Sequence, residues 1–135
     1  LSVPLAMPSY GNADVLCAVA GKDNARGVIM AQVMPNVSNT AIPIVRRFQE
    51  DIKKHGEKDM RPNILQLEAY VTTQVLLEGL RRAGTAAPRQ KLVPALDALK
   101  RLDLGGYAVE FSPTRHTGSE FVDISIIGRD CKLMF

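Results

Sequence analysis

The sequence predicts an α/β fold with an incomplete sheet and three long helices. Residues 27–34 (GVIMAQVM) form a near-continuous apolar run without alternation, which is typical of a strand covered on both faces in a parallel sheet. Residues 64–83 carry apolar side chains at helical spacing over five turns. The predicted strands are too few to cover three long helices. We therefore expect part of the sheet to lie outside these 135 residues.

The chain begins with a strand, a loop and a short helix. Residues 1–7 are expected to form a short buried strand, and the polar residues 8–12 form the loop after it. Asn12 is a suitable N-cap for an apolar helix over residues 13–20. Gly21 is a suitable residue to end that helix.

The first long helix is predicted over residues 41–55. Thr40 could cap its N-terminus, and Gly56 follows its basic C-terminal end. Its apolar stripe has a spacing of four residues and consists of Ile44, Phe48 and Ile52.

The second and third long helices are predicted over residues 64–83 and 88–101. The apolar positions of the second surround most of its circumference, so we expect it to be packed on several sides. Gly84 ends it. Pro94 lies inside the third helix and removes one backbone hydrogen bond, which predicts a kink or a shortened first half.

Two further strands are predicted over residues 107–111 and 121–127. Gly105 and Gly106 precede the first and favour a turn. The second strand alternates, because Val122, Ile124 and Ile126 face one way and Asp123 and Ser125 the other. Alternation of this kind predicts a half-exposed strand at the edge of a sheet.

Composition excludes several classes of protein. The chain is 46% hydrophobic and 23% charged, which is typical of a globular protein. Its net charge of +3 is spread over several segments without interleaved aromatic residues, so we expect solvated helix faces and no nucleic-acid partner. No apolar run approaches the ~20 residues of a membrane helix.

The two cysteines, Cys17 and Cys131, show no metal-ligand spacing, and His55 and His116 stand alone. We therefore expect no metal and no cofactor. Two free thiols are the favoured interpretation, and a disulfide in an oxidising compartment stays open.

No catalytic motif is present, and no residue is predicted to be catalytic. One loop could bind a ligand, because residues 8–12 follow a strand and precede a helix, where open α/β sheets bind small molecules. Ser9 offers a hydroxyl and Tyr10 an amphipathic ring, and the helix N-terminus offers unpaired amides for an anion. An ordinary strand-to-helix turn is the alternative interpretation. A small α/β hydrolase with Ser9 as its nucleophile is a further, less favoured one.

Several segments together resemble one family. They are residues 25–35 (ARGVIMAQVMP), 42–49 (IPIVRRFQ), 67–70 (LEAY), 75–84 (VLLEGLRRAG), 91–96 (KLVPAL) and 127–130 (IGRD). In this order they resemble the C-terminal part of the branched-chain amino-acid type (type 1) periplasmic solute-binding proteins of ABC importers.

The resemblance implies a two-lobed α/β fold that closes on its ligand. Residues 1–34 would be the C-terminal part of lobe 2, residues 35–118 the C-terminal part of lobe 1, and residues 119–135 a strand that returns to lobe 2. A first residue other than Met agrees with a chain cut from a longer protein, and no signal peptide is visible.

The resemblance also implies a function and three ligand-binding residues. Ser9 and Tyr10 match the lobe-2 loop that meets the ligand, and Leu67 matches a side-chain pocket in lobe 1. Amino-acid binders of the family carry a carboxylate in that loop, whereas this loop has none, which leaves room for an uncharged or carboxylate-only solute. Packing in the core is the alternative role of Leu67.

The implied protein is a periplasmic, non-catalytic receptor. It would bind an amino acid or an aromatic or aliphatic carboxylate and deliver it to a membrane permease. A ligand-sensing domain that feeds a regulator is the alternative within the same fold. Unpaired strand edges and exposed apolar faces predict a homodimer, with exchange of the last strand as one route.

Overall fold

The computed structural model describes residues 3–84 and 89–135, and the chain divides into two compact units. Unit 1 combines the residues up to Asn36 with Phe121–Phe135, and unit 2 comprises Val37–Glu120. The described elements confirm a mixed α/β fold with partial sheets.

The described strands are, in chain order, β1 (Ala6–Pro8), β2 (Ile29–Gln32), β3 (Leu102–Asp103), β4 (Ala108–Val109), β5 (Asp123–Ile127) and β6 (Leu133–Met134). The described helices are α1 (Ala13–Ala20), α2 (Lys22–Ala25), α3 (Pro43–His55), α4 (Ile64–Ala83) and α5 (Arg89–Asp97), with a single 3-10 turn at Ser9–Gly11.

Unit 1 contains a four-stranded sheet in the order β1-β2-β5-β6. β1 pairs in parallel with β2, while β5 pairs antiparallel with both β2 and β6. The parallel pair agrees with the prediction from the apolar run of β2. The last strand, β6, pairs with β5 of its own chain, so its exchange between two copies is not needed to satisfy it.

A helical layer covers one face of this sheet. α1 has the predicted bounds, with Asn12 as N-cap and Gly21, at a φ of 83°, directly after its end. The side chains packed between this layer and the sheet form one apolar core. They are Ala13, Cys17, Ala25, Val28, Met30 and Ile127, with Met7, Leu16, Cys131 and Leu133 against them.

The opposite face of the sheet is exposed, and this corrects two predictions. β1 begins at Ala6, and its burial pattern is largely exposed. Val3 and Leu5, which precede it, are exposed as well, so the first strand is not buried. Residues 1 and 2 of the predicted strand lie outside the described residues. β2 alternates between partly buried and buried residues and is not covered on both faces. In each case the reason is that the described residues of unit 1 place helices on only one face of the sheet, whereas a strand buried on both faces needs a second helical layer.

β5 was predicted to be an edge strand, and this is wrong. It lies between β2 and β6. The predicted alternation is present, but Ser125 points into the helix-covered side and is buried, while Ile124 and Ile126 are exposed. Apolarity alone therefore predicted the wrong face of this strand.

Unit 2 begins with α3, which starts at Pro43 instead of residue 41. Thr40 does not cap it, because Ile42 occupies the N-cap position without a side-chain hydrogen bond. The amide of Ile44 instead donates to the carbonyl of Gly105, at 3.0 Å. A hairpin distant in sequence thus satisfies the helix end, which no local pattern could predict.

α4 has the predicted bounds and an unpredicted capping box at Asn63. It packs against both α3 and α5, but only Leu67, Val71 and Gly79 among its residues are buried, so less of its circumference is covered than the apolar pattern predicted. Gly79 faces α5, where a Cβ atom would lie 2.6 Å from Leu96 Cδ2. The side chains left exposed on this helix include Leu65, Leu76, Leu77 and Leu80.

α5 ends at Asp97 and not at residue 101, and Pro94 lies inside it. Residue 88, its predicted start, lies outside the described residues. The predicted turn at Gly105 and Gly106 is confirmed: both have positive φ, 96° and 82°, and they connect the antiparallel strands β3 and β4. The predicted strand over residues 107–111 is reduced to Ala108–Val109.

Cys17 and Cys131 form a disulfide, which corrects the expectation of two free thiols. Cys17 lies on α1 and Cys131 in the turn between β5 and β6, so the bridge connects the two separate chain segments of unit 1. A separation of 114 residues gives no local signal for this pairing.

Candidate functional site

The turn at the end of β1 carries two of the predicted ligand-binding residues. Pro8 pairs with Ala31 in the parallel register, so the following turn lies at the carboxyl end of β1, beside the end of β2. Ser9 is only 5% exposed, whereas Tyr10 is 74% exposed. The turn therefore presents the Tyr10 ring to solvent and holds the Ser9 side chain inside.

The N-terminus of α1 does not offer the free amides that the sequence suggested. Asn12 Oδ1 accepts hydrogen bonds from the amides of Asp14 and Val15, at 2.9 and 3.5 Å, and the carbonyl of Asn12 accepts from Leu16. The first-turn side chain of Asp14 adds a negative charge. An anion subsite at this helix end is therefore not supported.

A buried polar pair lies beside this turn and was not predicted. Gln32, at the end of β2, is fully buried, and its Nε2 donates to Ser125 Oγ on β5 at 2.8 Å. The Gln32 Oε1 atom has no hydrogen-bond partner among the described residues. The only signal in the sequence is an amide residue inside the otherwise apolar run of residues 27–34.

The buried polar groups at this edge of the sheet are neutral. Ser9, Gln32 and Ser125 are the buried polar residues of the described chain, and none carries a charge. Hydroxyl and amide groups bind solutes by hydrogen bonds in either direction. The carboxylates at this edge, those of Asp14 on α1 and Asp123 opposite Gln32 on β5, lie outside this buried set.

Leu67 belongs to unit 2 and lies in the first turn of α4. Its backbone amide donates to the carbonyl of Asn63, the N-cap residue, at 3.1 Å. Its side chain is fully buried. Burial agrees with a role in packing, and the assignment to a ligand pocket stays a prediction.

A groove of about 410 Å³ lies between α3 and α4 in unit 2. Tyr70 donates from its hydroxyl to Asp51 Oδ2 at 2.7 Å on one side of this groove. Burial first, and then the hydrogen bond to the Asp51 carboxylate, raise the pKa of Tyr70 to about 12. Leu67 is not among the lining residues, so the groove and the predicted pocket residue are separate.

The described residues include no group of three or more potential metal ligands, and none of their helices is long and apolar enough to cross a membrane. His55 and His116 both belong to unit 2, whereas Ser9 belongs to unit 1.

An α/β unit with a polar turn at the carboxyl end of parallel strands is typical of proteins that bind small molecules. The sequence pattern of the family described as periplasmic binding protein matches residues 1–124. The chain belongs to this family, and its structural neighbours are type 1 periplasmic binding proteins and substrate-binding proteins of ABC transporters.

Solved structures agree with this assignment. An extracellular ligand-binding receptor from Verminephrobacter eiseniae is 30% identical over 98% of this chain, with a TM-score of 0.84. A substrate-binding periplasmic protein from Ralstonia solanacearum is 32% identical over 96% of this chain, also at 0.84. A possible leucine/isoleucine/valine-binding protein from Rhodopirellula baltica shares the fold, at 23% identity over 100% of this chain and a TM-score of 0.87.

The chain spans 37%, 37% and 36% of these three proteins, respectively. No curated protein sequence matches it.

Proposed function

We propose that this chain is part of the solute-binding component of an ABC importer, which captures a small organic solute without chemical change. The observation that supports this most is the family match over residues 1–124, together with two substrate- or ligand-binding proteins at 30% and 32% identity. Capture would occur by closure of two lobes around the solute.

In this proposal, unit 1 belongs to lobe 2 and unit 2 to lobe 1. The predicted boundaries at residues 34–35 and 118–119 lie within two residues of the boundaries between the compact units, at 36–37 and 120–121. Ser9 and Tyr10 would contact the solute from lobe 2, and Leu67 would line the lobe-1 side.

The solute is proposed to be a branched-chain amino acid or a related small organic molecule that the loop after β1 contacts through neutral groups. The loop after β1 carries no carboxylate to pair with an ammonium group, and Asn12 Oδ1 already accepts from the amides of Asp14 and Val15. An exposed Tyr10 ring favours an aliphatic or aromatic portion of the solute at this point.

A non-catalytic role is supported by the burial of Ser9 within unit 1, whose own residues include no histidine to act as its base. A Ser nucleophile needs a base within hydrogen-bond reach. A periplasmic location, with a membrane permease as partner, is supported by the family and by the disulfide, which persists in oxidising compartments.

Binding to a chimera tests the proposal. This chain would replace the matched 37% of the Ralstonia solanacearum protein, and calorimetry would measure binding of branched-chain amino acids, neutral solutes and carboxylates. We expect the chimera to bind one of these classes, with a Tyr10→Ala variant at least about tenfold weaker. Val19→Ala, at an exposed position on α1, is the matched control and should bind like the parent.

Two results would contradict the proposal. The first is a correctly folded chimera that binds none of the solutes. The second is ester hydrolysis by the chain that Ser9→Ala abolishes, which would favour the hydrolase. The chain alone should bind weakly, so micromolar binding would show that it needs no further part of the fold.

A further inference from the structure

Helix α1 makes few apolar contacts with the sheet that it covers. The residues on its sheet-facing side that enter the core are Ala13 and Cys17, with Leu16 packed against them. Alanine and cysteine side chains bury little apolar area, so they contribute little to the docking of this helix. A helix of eight residues is also too short to be stable in water by itself. Apolar packing and helix propensity therefore do not account for the position of α1.

The Cys17–Cys131 disulfide connects α1 to the sheet directly. Cys131 lies in the turn between β5 and β6, where the amide of Gly128 donates to the carbonyl of Lys132 at 2.8 Å and the amide of Cys131 donates to the carbonyl of Gly128 at 3.2 Å. These hydrogen bonds close the turn and fix the position of Cys131. Because β5 is paired on both sides, the disulfide connects a weakly packed helix to the end of a firmly held strand.

α1 follows directly on the turn that carries two of the predicted solute contacts. The turn Ser9–Gly11 leads into Asn12, whose Oδ1 accepts from the amides of Asp14 and Val15. These hydrogen bonds require a helical first turn of α1. The placement of Tyr10, two residues before the N-cap, therefore depends in part on the docking of α1.

We propose that the Cys17–Cys131 disulfide is a redox-sensitive latch of α1. When oxidised it holds α1 on the sheet, and when reduced it lets α1 detach while β2 and β5 stay paired. The sheet keeps its own connection between the two chain segments of unit 1, since the pairing of β2 with β5 runs from Ile29–Ile126 to Gln32–Asp123 without any residue of α1. An effect of the latch on solute capture rests on the proposed function, whereas the detachment of α1 does not.

The reductant of this latch is a dithiol. Its thiolate attacks the sulfur of the half-buried Cys131, because Cys17 is only 8% exposed. A mixed disulfide with Cys131 forms, and Cys17 leaves as a thiolate that takes up a proton. The second thiol of the reductant, after losing its proton, displaces Cys131, which is protonated in turn. Two electrons and two protons thus pass to the cysteines, and the dithiol ends as a cyclic disulfide.

Hydrogen exchange of the chain with and without dithiothreitol tests the latch. We expect the α1 amides to exchange at least about tenfold faster after reduction, and the amides that connect β2 and β5 to change much less. Amides of α4 are the internal control, because α4 belongs to unit 2, which contains no cysteine. Alkylation of free thiols followed by mass spectrometry shows that both cysteines are reduced.

Cys131→Ala is the matched variant, because it removes the bond and leaves Cys17 in the core. Its α1 amides should exchange as fast as those of the reduced parent, and dithiothreitol should change them no further. If this variant does not fold, the parent protein that has been reduced and then reoxidised supplies the comparison, since its α1 amides should regain their slow exchange.

Unchanged exchange of the α1 amides after reduction would overturn the proposal, since the packing of Ala13, Leu16 and Cys17 would then be sufficient. Equal acceleration in α1 and in the β2–β5 amides would also overturn it, because the disulfide would then hold the whole unit. In the chimera described above, Cys131→Ala should weaken solute binding at least about threefold. A chimera that binds no solute contradicts the proposed function alone, and hydrogen exchange still decides on the latch.

Discussion

Removal of the Ser125 hydroxyl should destabilise unit 1 more than removal of a hydroxyl that has no buried hydrogen-bond partner. Gln32 Nε2 donates to Ser125 Oγ, and Gln32 Oε1 is already without a partner. Ser125→Ala therefore leaves the fully buried Gln32 side chain with neither Nε2 nor Oε1 in a hydrogen bond. Loss of the hydrogen bond with burial of the unpaired donor should lower the free energy of unfolding by about 2 kcal/mol.

The companion variant Gln32→Met should cost less. Methionine has a similar length and removes both amide groups, including the orphan acceptor, while Ser125 Oγ can still donate to the carbonyl of Met30, 3.5 Å away. In the Gln32→Met background, Ser125→Ala should then cost less than about 1 kcal/mol. The two costs of Ser125→Ala should therefore differ by about 1 kcal/mol or more, and this difference is the coupling free energy between Gln32 and Ser125.

Hydrogen exchange of the amides that connect β2 and β5 is the suitable assay, because it measures opening of unit 1 by itself. Val19→Ala provides the matched control, since this valine is exposed on α1 of the same unit and its replacement should change stability by less than about 0.5 kcal/mol. Equal costs of Ser125→Ala in the parent and in the Gln32→Met background would refute the reasoning.

Three other predictions follow from single contacts. Reduction of the Cys17–Cys131 disulfide should destabilise unit 1 by about 4 kcal/mol, because the bridge closes a loop of more than 100 residues; an unchanged melting temperature in reductant would contradict this. Gly79→Ala should lower the melting temperature, because its Cβ would overlap Leu96 and the cost of this overlap exceeds the gain in helix propensity. In a Leu96→Ala background, the same substitution should raise the melting temperature. Tyr70 should stay protonated above its ordinary pKa of 10.0 and titrate at about 12, so the stability of the folded state should fall as the pH rises between these values. Phenolate absorbance measures the titration. Asp51→Asn should lower the pKa of Tyr70, and an unchanged pKa in this variant would contradict the assigned contact.

Local patterns in the sequence predicted helix ends well where the chemistry of the end is local. The cap of α1 at Asn12 and its end at Gly21 follow from one side chain and one backbone conformation, as does the end of α4 at Gly84. The start of α3 did not follow such a rule. Its orphan amide at Ile44 is satisfied by Gly105, which is far away in sequence.

The candidate site was predicted in part. The turn after β1 could be found, because a strand followed by polar residues and a helix is a local pattern. The partner of Gln32 could not, because Ser125 is 93 residues away and its strand carries a pattern that apolarity alone assigns to the wrong face. Only the pairing of β2 with β5 brings these two side chains together.

The sequence by itself determined the α/β class, the bounds of α1 and α4, the resemblance to type 1 periplasmic binding proteins and the polar turn with Ser9 and Tyr10. These features depend on neighbours within a few residues or on a pattern that is linear along the chain. Tertiary structure decided the order of the strands, the disulfide, and which face of β5 is bare. Each of these depends on which distant segments meet, and an alternating strand has the same period whichever of its faces is covered.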